Sequence, residues 1–291
     1  MTNNFAIVVD SSADIPEKIM EKYDIYCVPT RIIIKEKEYL DRIDISLDEI
    51  IHKLKTSDEK ITTTQPLPMD FNNVFKEALE KYEKILSLSL TTKLSATYQN
   101  AVIAAKKVDK EKIICIDTLS ITHGLGLLAQ HAALCREQGM EIDQVAAEIN
   151  EMLGNIKIYF LVDTLDYLHR GGRIGKAKHL IGSLLNMKPL LKLENGEIDA
   201  HKSVRGIETG LEEMKQLMKD CAKEYKHYAL GVTFGERNPL FKELAKTLRE
   251  EIQPLNYVEG ALSPAVLCHT GPHVEAFILV KIPEKAIGVY K

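Results

Sequence analysis

The sequence predicts a two-domain α/β protein, an arrangement that offers a cleft. Residues 1–160 form an N-terminal domain on a mainly parallel sheet flanked by helices. Residues 161–291 form a C-terminal α/β domain with a mixed sheet. Three observations predict this. The chain has 291 residues, against roughly 150 per domain. Apolar runs followed by helical patterns recur through the first half, the grammar of a parallel sheet. The second half carries Asn195-Gly196 between apolar runs, the strongest short hairpin signal, and a hairpin there makes the sheet mixed.

Each element follows from the same reasoning. "FAIVVDSSADIPEKIMEKY" reads as strand, polar turn and helix opening near Pro16. "SLDEIIHKLK" is a helix whose Ser46 and Glu49 have capping-box spacing. "KILSLSLTTKLSATYQNAVIAAKK" and "KIICIDTLSITHGLGLLAQHAALCREQG" repeat strand then helix, the second closing at Gly139. A helix near 141–154 precedes "KIYFLVDTLDYLHRGGRIGKAKHLIGSLLN", a strand and two helical stretches broken at Gly171 and Gly172. Beyond the hairpin come a helix over 204–224, the strand "YALGVTF", a helix over 237–250 and the strand-like "VEAFILVK".

Composition narrows the function classes. A net charge of −4, with 45% hydrophobic and 27% charged residues, describes an ordinary globular chain. It lacks the basic excess that nucleic-acid binding requires, so no nucleic-acid partner is expected. The N-terminal "MTNNFAIVVD" has no basic leader or long apolar run, and no stretch approaches the ~20 apolar residues that cross a bilayer, so a cytoplasmic location is expected. Five widely spaced cysteines read as reduced core thiols, and neither metal nor cofactor is expected.

Nucleotide motifs fail on their residues. "GGRIGKAK" places Arg170 where a P-loop needs its first glycine and Ala177 where it needs Ser or Thr. No G-x-G-x-x-G follows the first strand, and HExxH and GxSxG are absent. Ser57-Asp58-Glu59-Lys60 has Ser-x-x-Lys spacing inside a charged run and reads as a solvated loop. Asp10-Ser11-Ser12, Thr91-Thr92 and Asp117-Thr118 all fall at carboxyl ends of parallel strands, where open sheets bind ligands and where such residues also cap helices.

Three polar stretches remain, each read where a strand-like run meets a turn: "TTTQP" (62–66), "TTKLSATY" (91–98) and "CHTGPH" (268–273). Hydroxyls and an imidazole hold an anion by hydrogen bonds without reacting with it, so these stretches suit a clamp for a carboxylate whose tail lies against apolar walls. "HLIGSLLNMKPLL" is the first place to look for those walls.

Taken together, "VVDSSADIP", "TTTQP" with "TTKLSATYQNA", "LDYLHRGGRIGKA" and "HTGP" resemble the DegV family of fatty-acid-binding proteins, in the family's order and over nearly the full length. The resemblance implies a two-domain α/β fold with a long-chain fatty acid in a deep interdomain tunnel. It implies a lipid-presenting subunit of a bacterial fatty acid kinase, whose ATP-binding partner makes the acyl-phosphate. The chain is then a carrier and not the catalyst, with transient contact at a membrane surface.

By the same resemblance Thr63 and Ser95 are expected carboxylate donors and His269 the clamp imidazole, with Thr62, Thr64, Arg173, Thr270 and Gly271 near the head group. Arg170 and Arg173 in the basic Gly-Gly-Arg turn are expected to meet the partner or membrane. The chain departs from the family pattern at Thr64, which stands for Ser, and at Ala96 and His273, which stand for Gly. A methyl at Ala96 is costly only where the turn needs positive φ. Two other readings stay open: a lipid sensor that does not present its ligand, and an acyl hydrolase using Ser95, His269 and Asp10, for which no nucleophile elbow is seen.

Overall fold

The computed structural model describes residues 5–57, 59–182 and 187–290. Its strands are β1 (Phe5–Asp10), β2 (Ile25–Val28), β3 (Arg31–Ile34), β4 (Lys37–Leu40), β5 (Ile61–Thr64), β6 (Lys84–Ser89), β7 (Ile113–Asp117), β8 (Ile156–Val162), β9 (Lys188–Glu194), β10 (Glu197–Val204), β11 (Tyr228–Phe234), β12 (Asn256–Ala261) and β13 (Val274–Lys281). Its helices are α1 (Glu17–Tyr23), α2 (Leu47–Thr56), α3 (Pro68–Lys81), α4 (Thr97–Val108), α5 (His123–Glu137), α6 (Ile142–Leu153), α7 (Asp166–Arg170), α8 (Ile207–Tyr225), α9 (Pro239–Ile252) and α10 (Pro264–Thr270).

The N-terminal sheet runs β2-β1-β6-β7 with every pairing parallel. All six residues of β1 are buried, as a central strand covered on both faces requires. Ala6 and Val8 pack with Phe71, Phe75 and Ala101 of α3 and α4, while Ile7 and Val9 join the cluster that contains Leu125 and Leu128 of α5. The C-terminal sheet runs β10-β9-β8-β13-β11-β12 and is mixed: β11 and β12 are parallel and the other pairings antiparallel. Asn195 and Gly196 both take positive φ, the twist a tight β9–β10 hairpin needs.

Alternation along the C-terminal strands divides their side chains between two faces. Leu230, Val232, Phe277 and Leu279 pack with Leu211, Met214, Phe241 and Leu248 of α8 and α9. Ile158, Phe160, Ala276 and Ile278 face the other way and share one cluster with α5 and the N-terminal sheet. Helix α5 therefore lies between the two sheets, and twelve of its fifteen residues are buried, as expected of a helix apolar on every side. The expected division after residue 160 falls inside β8, which belongs to the C-terminal sheet.

A third, antiparallel sheet, β4-β3-β5, has no counterpart in the sequence-based reading. Its strands are four residues each and β4 is largely exposed, so it leaves little periodic signal. It positions the site, because Thr62, Thr63 and Thr64 lie on β5. The capping box at Ser46 is present: the Ser46 hydroxyl accepts from the Glu49 amide at 3.3 Å, and Glu49 accepts from the Ser46 amide at 2.8 Å. The second half of the rejected P-loop stretch, from Gly175, opens a 3-10 turn, Gly175–Leu180, with Gly175 against the Ile198 carbonyl.

Candidate ligand-binding site

A cavity enclosing about 930 Å³ of space between atoms, its outer opening included, lies between the N-terminal elements and the α5-facing side of the C-terminal sheet. Ile158, Phe160, Leu193, Ile198, Val274 and Ala276 form its sheet wall, and Leu90, Leu94, Ile121, Leu168 and Leu262 close it from other sides. The wall is mostly apolar. Polar groups gather at Thr63, Thr64, Gln65, Ser95, Thr97, Arg173, His269 and Thr270.

Each of these side chains is placed by local structure. Thr63 sits on β5 opposite Ile32. Ser95 lies in the turn before α4, with its hydroxyl 2.9 Å from that of Thr97. Ala96 takes φ −84° at the helix entrance, so its methyl costs the backbone nothing. His269 is in the last turn of α10, which ends at Gly271 with φ 80°. "CHTGPH" thus closes a helix rather than a strand, and the expectation of a strand-to-turn junction is corrected. Pro264 at the first position and Ser263 as N-cap, accepting from the Val266 amide at 3.4 Å, open that helix. Its entrance is held from the N-terminal half: Asp14 accepts from the Ser263 amide at 2.8 Å and Asp41 from the Ala265 amide at 3.1 Å.

Thr63 Oγ1 and His269 Nε2 lie 2.6 Å apart, joining residues 206 positions apart in sequence. Burial, helped by the nearby Arg173 cation, lowers the His269 pKa to about 4, so the ring is neutral at pH 7. With the proton on Nε2 the imidazole donates to Thr63, whose own hydroxyl hydrogen is then available to a ligand oxygen. On its other side the ring lies against Gly171: a β-carbon there would stand 2.3 Å from His269 Nδ1 and 3.1 Å from Cε1. The Gly-Gly-Arg turn and the histidine turn therefore meet in space, and Gly171 is what lets them.

Arg173 is held by the Leu94 carbonyl, accepting from Nε at 3.1 Å, and the Gly171 carbonyl, accepting from Nη1 at 2.7 Å. It lines the cavity with Thr64 and Thr270. Other expected residues lie elsewhere. Thr62 does not line the cavity but lines a neighbouring cleft with Tyr167, Arg170 and Gly171. Gly271 does not line the cavity; its lack of a side chain makes room for the Tyr167 ring, 2.5 Å from where a β-carbon would be. Arg170 is exposed and stacks on Tyr167 at 4.9 Å. His273 is exposed, with Nδ1 3.3 Å from Glu236, which also pairs with Lys55 at 2.7 Å.

Sequence reasoning passed over Thr30, Thr122 and Thr233, all of which line the cavity; nothing in their local sequence distinguishes them from ordinary strand and turn residues. Of the strand-end groups, Ser12 reaches the cavity, whereas Asp10 and Asp117 act as local ties. Asp10 accepts from the Ser12 and Leu90 amides at 3.1 and 2.9 Å, and Asp117 from the Thr92 hydroxyl at 2.6 Å. In "HLIGSLLNMKPLL", residues 183–186 lie outside the described residues, and none of the others lines the cavity. A hydrolytic triad does not form: Asp10 is taken up by those amides, Ser95 pairs with Thr97, and His269 pairs with Thr63.

A family model described as an uncharacterised protein of the DegV family matches residues 4–281. The chain belongs to the DegV family. A DegV domain-containing protein from Caldanaerobacter subterraneus subsp. tengcongensis is 34% identical over 267 residues, covering 92% of this chain and 95% of that protein. The DegV-family protein of Thermus thermophilus, solved as a fatty-acid-binding protein, superposes with a TM-score of 0.90 at 29% identity, covering 96% of this chain and all of that one. A Thermotoga maritima protein, whose structure was described as revealing a fatty-acid-binding function, gives 0.86 at 28% identity over 96% and 99% of the two chains. The two-domain α/β architecture, parallel sheet first and mixed sheet second, is that of these DegV structures.

Proposed function

We propose that this protein binds a long-chain fatty acid non-covalently in the cavity, with the carboxylate at Thr63, Ser95 and His269 and the acyl chain along the sheet wall. The observation that carries the reading is one cavity with an apolar wall and a cluster of hydroxyls, a neutral imidazole and an arginine. Solved DegV relatives with 28–29% identity bind fatty acids. Each methylene buried contributes about 0.8 kcal/mol, so a long chain is held without a covalent bond. Arg173, anchored by two carbonyls and still carrying further N–H donors, is the cation proposed to orient the head group.

The protein is further proposed to present that carboxylate to an ATP-binding fatty acid kinase subunit, which forms the acyl-phosphate, with Arg170 and Arg173 on the docking side and transient contact with a membrane surface. The resemblance of the Gly-Gly-Arg turn and the lack of a nucleotide motif in the sequence favour presentation over catalysis. Native and denaturing mass spectrometry of freshly purified protein tests the binding step. A mass increment that leaves on denaturation and matches a fatty acid supports it; a protein that stays apo after incubation with fatty acids refutes it. Loaded protein that no fatty acid kinase accepts would leave the sensor reading in place of presentation.

A further inference from the structure

Between α5 and α6 three side chains converge that do not line the cavity and that the lipid site does not use. His131 and Cys135 lie one turn apart on α5, and Glu148 faces them from α6. His131 Nε2 is 3.2 Å from Glu148 Oε2, Cys135 Sγ is 3.5 Å from His131 Nε2, and Sγ is 3.7 Å from Glu148 Oε2. All three are buried, and their ligand atoms form the one such His/Cys/Asp/Glu group among the described residues.

We propose that His131, Cys135 and Glu148 bind a divalent transition metal, zinc by ligand chemistry. A zinc ion with bonds of about 2.0–2.1 Å to nitrogen, 2.0–2.2 Å to oxygen and 2.3 Å to sulfur has tetrahedral edges of about 3.3–3.7 Å between those donors, close to the observed separations. Thiolate and imidazole favour zinc over magnesium or calcium, which take oxygen donors. The charges balance: one thiolate and one carboxylate neutralise the ion, so the buried site carries no net charge.

The surroundings supply what metal-bound histidine needs. Tyr290 Oη lies 2.9 Å from His131 Nδ1, and the two rings stack. In the neutral tautomer with its proton on Nε2, the metal-free imidazole donates to Glu148 and Nδ1 accepts from the Tyr290 hydroxyl. On metal binding the thiol proton is released to solvent, the imidazole proton moves from Nε2 to Nδ1, and Tyr290 becomes its acceptor. That is the outer-shell partner that fixes tautomer and ring orientation. Tyr290 belongs to the 3-10 turn Glu284–Tyr290, whose Lys285 lies 4.0 Å from Glu148 Oε1. The metal therefore ties this turn to α5 and α6 through Tyr290 and His131, its fourth position left to a ligand other than these three side chains. A hydrogen-bonded triad without metal satisfies the imidazole and carboxylate equally well but leaves the thiol 3.7 Å from its acceptor, a weak use of a sulfur at the point where all three donors converge.

The full chain, stripped with a chelator, is titrated with cobalt(II) and followed by absorption spectroscopy. The expected result is one equivalent bound, with visible bands of a tetrahedral ion and a near-ultraviolet thiolate charge-transfer band, both displaced by zinc, and a Tm raised by zinc. Cys135→Ser is expected to lose the charge-transfer band, and Tyr290→Phe to weaken binding about tenfold while keeping the band. Wild-type protein that shows no cobalt bands and an unchanged Tm with zinc would overturn the site and leave the hydrogen-bonded triad alone. So would a charge-transfer band that survives in Cys135→Ser. None of these readouts depends on lipid.

Discussion

Replacing Gly171 with alanine tests the contact between the Gly-Gly-Arg turn and His269. Gly171 has φ −75° and ψ −12°, a conformation alanine adopts freely, so the substitution adds a methyl without backbone strain. That methyl would stand 2.3 Å from His269 Nδ1 and 3.0 Å from the Tyr167 carbonyl. Reaching an ordinary contact of 3.4 Å requires about 1.1 Å of movement from 2.3 Å. The ring cannot retreat along its bond to Thr63, already 2.6 Å long, and must swing away from it. Losing that hydrogen bond costs about 0.5–1.5 kcal/mol, about a 2- to 13-fold weaker affinity for fatty acid if the clamp is as proposed. The assay is displacement of a fluorescent fatty acid from wild type, Gly171→Ala, His269→Ala and the double variant, with Tm measured in parallel. The two substitutions act on one contact, so their effects should be strongly non-additive, with Gly171→Ala nearly silent once the imidazole is gone. Additive losses, or wild-type affinity in Gly171→Ala, would refute the reasoning.

His269→Ala, or Thr63→Ala combined with Ser95→Ala, should reduce lipid binding more than Arg170→Ala, which stacks on Tyr167 outside the cavity; equal retention of a fatty acid by all three, read by native mass spectrometry, would remove the residue assignment. Stability should depend on pH through groups of opposite sign. Burial holds His123 down to about 3 and His269 to about 4, so the folded state resists protons that the unfolded chain takes up near 6.5, and their contribution is lost as pH falls below that value. Asp14 is pushed by burial up to about 7, so its contribution is present below about 4 and lost as pH rises toward 7. Asp14→Asn should therefore lose stability more steeply than wild type between pH 7 and pH 4; parallel urea-midpoint profiles would contradict this. Gly231→Ala places a β-carbon 2.7 Å from that of His123 and 3.3 Å from that of Ile278, and should cost about 1–3 kcal/mol by overpacking. An unchanged urea midpoint would show that α5 packs less closely on the sheet than described.

The pattern of strands and helices was legible because β1, β6 and β7 are apolar runs bounded by turn residues, and α2 and α9 carry capping or proline signals at their starts. The Asn195-Gly196 hairpin was legible for the same local reason, since its turn type needs residues that accept positive φ. The small β4-β3-β5 sheet was not, because four-residue strands contain too few alternations to separate from a loop. The histidine turn was found as a motif but given the wrong neighbour: Pro264-Ala-Val-Leu-Cys-His-Thr is short and apolar, and a short apolar run is ambiguous between strand and helix.

By itself the sequence determined that the chain has two α/β units, that it lacks a P-loop, and which polar stretches stood apart from core and surface patterns. Periodicity records which side of an element avoids water, but not what that side meets. Tertiary structure alone decided that α5 is shared by both sheets, that Thr63 meets His269 across 206 positions, and that Gly171 backs the imidazole. It also decided that one apolar sheet face became a cavity wall while the opposite face became core under α8 and α9. The difference lies in how the layers stack, and stacking is fixed by contacts between residues far apart in the chain.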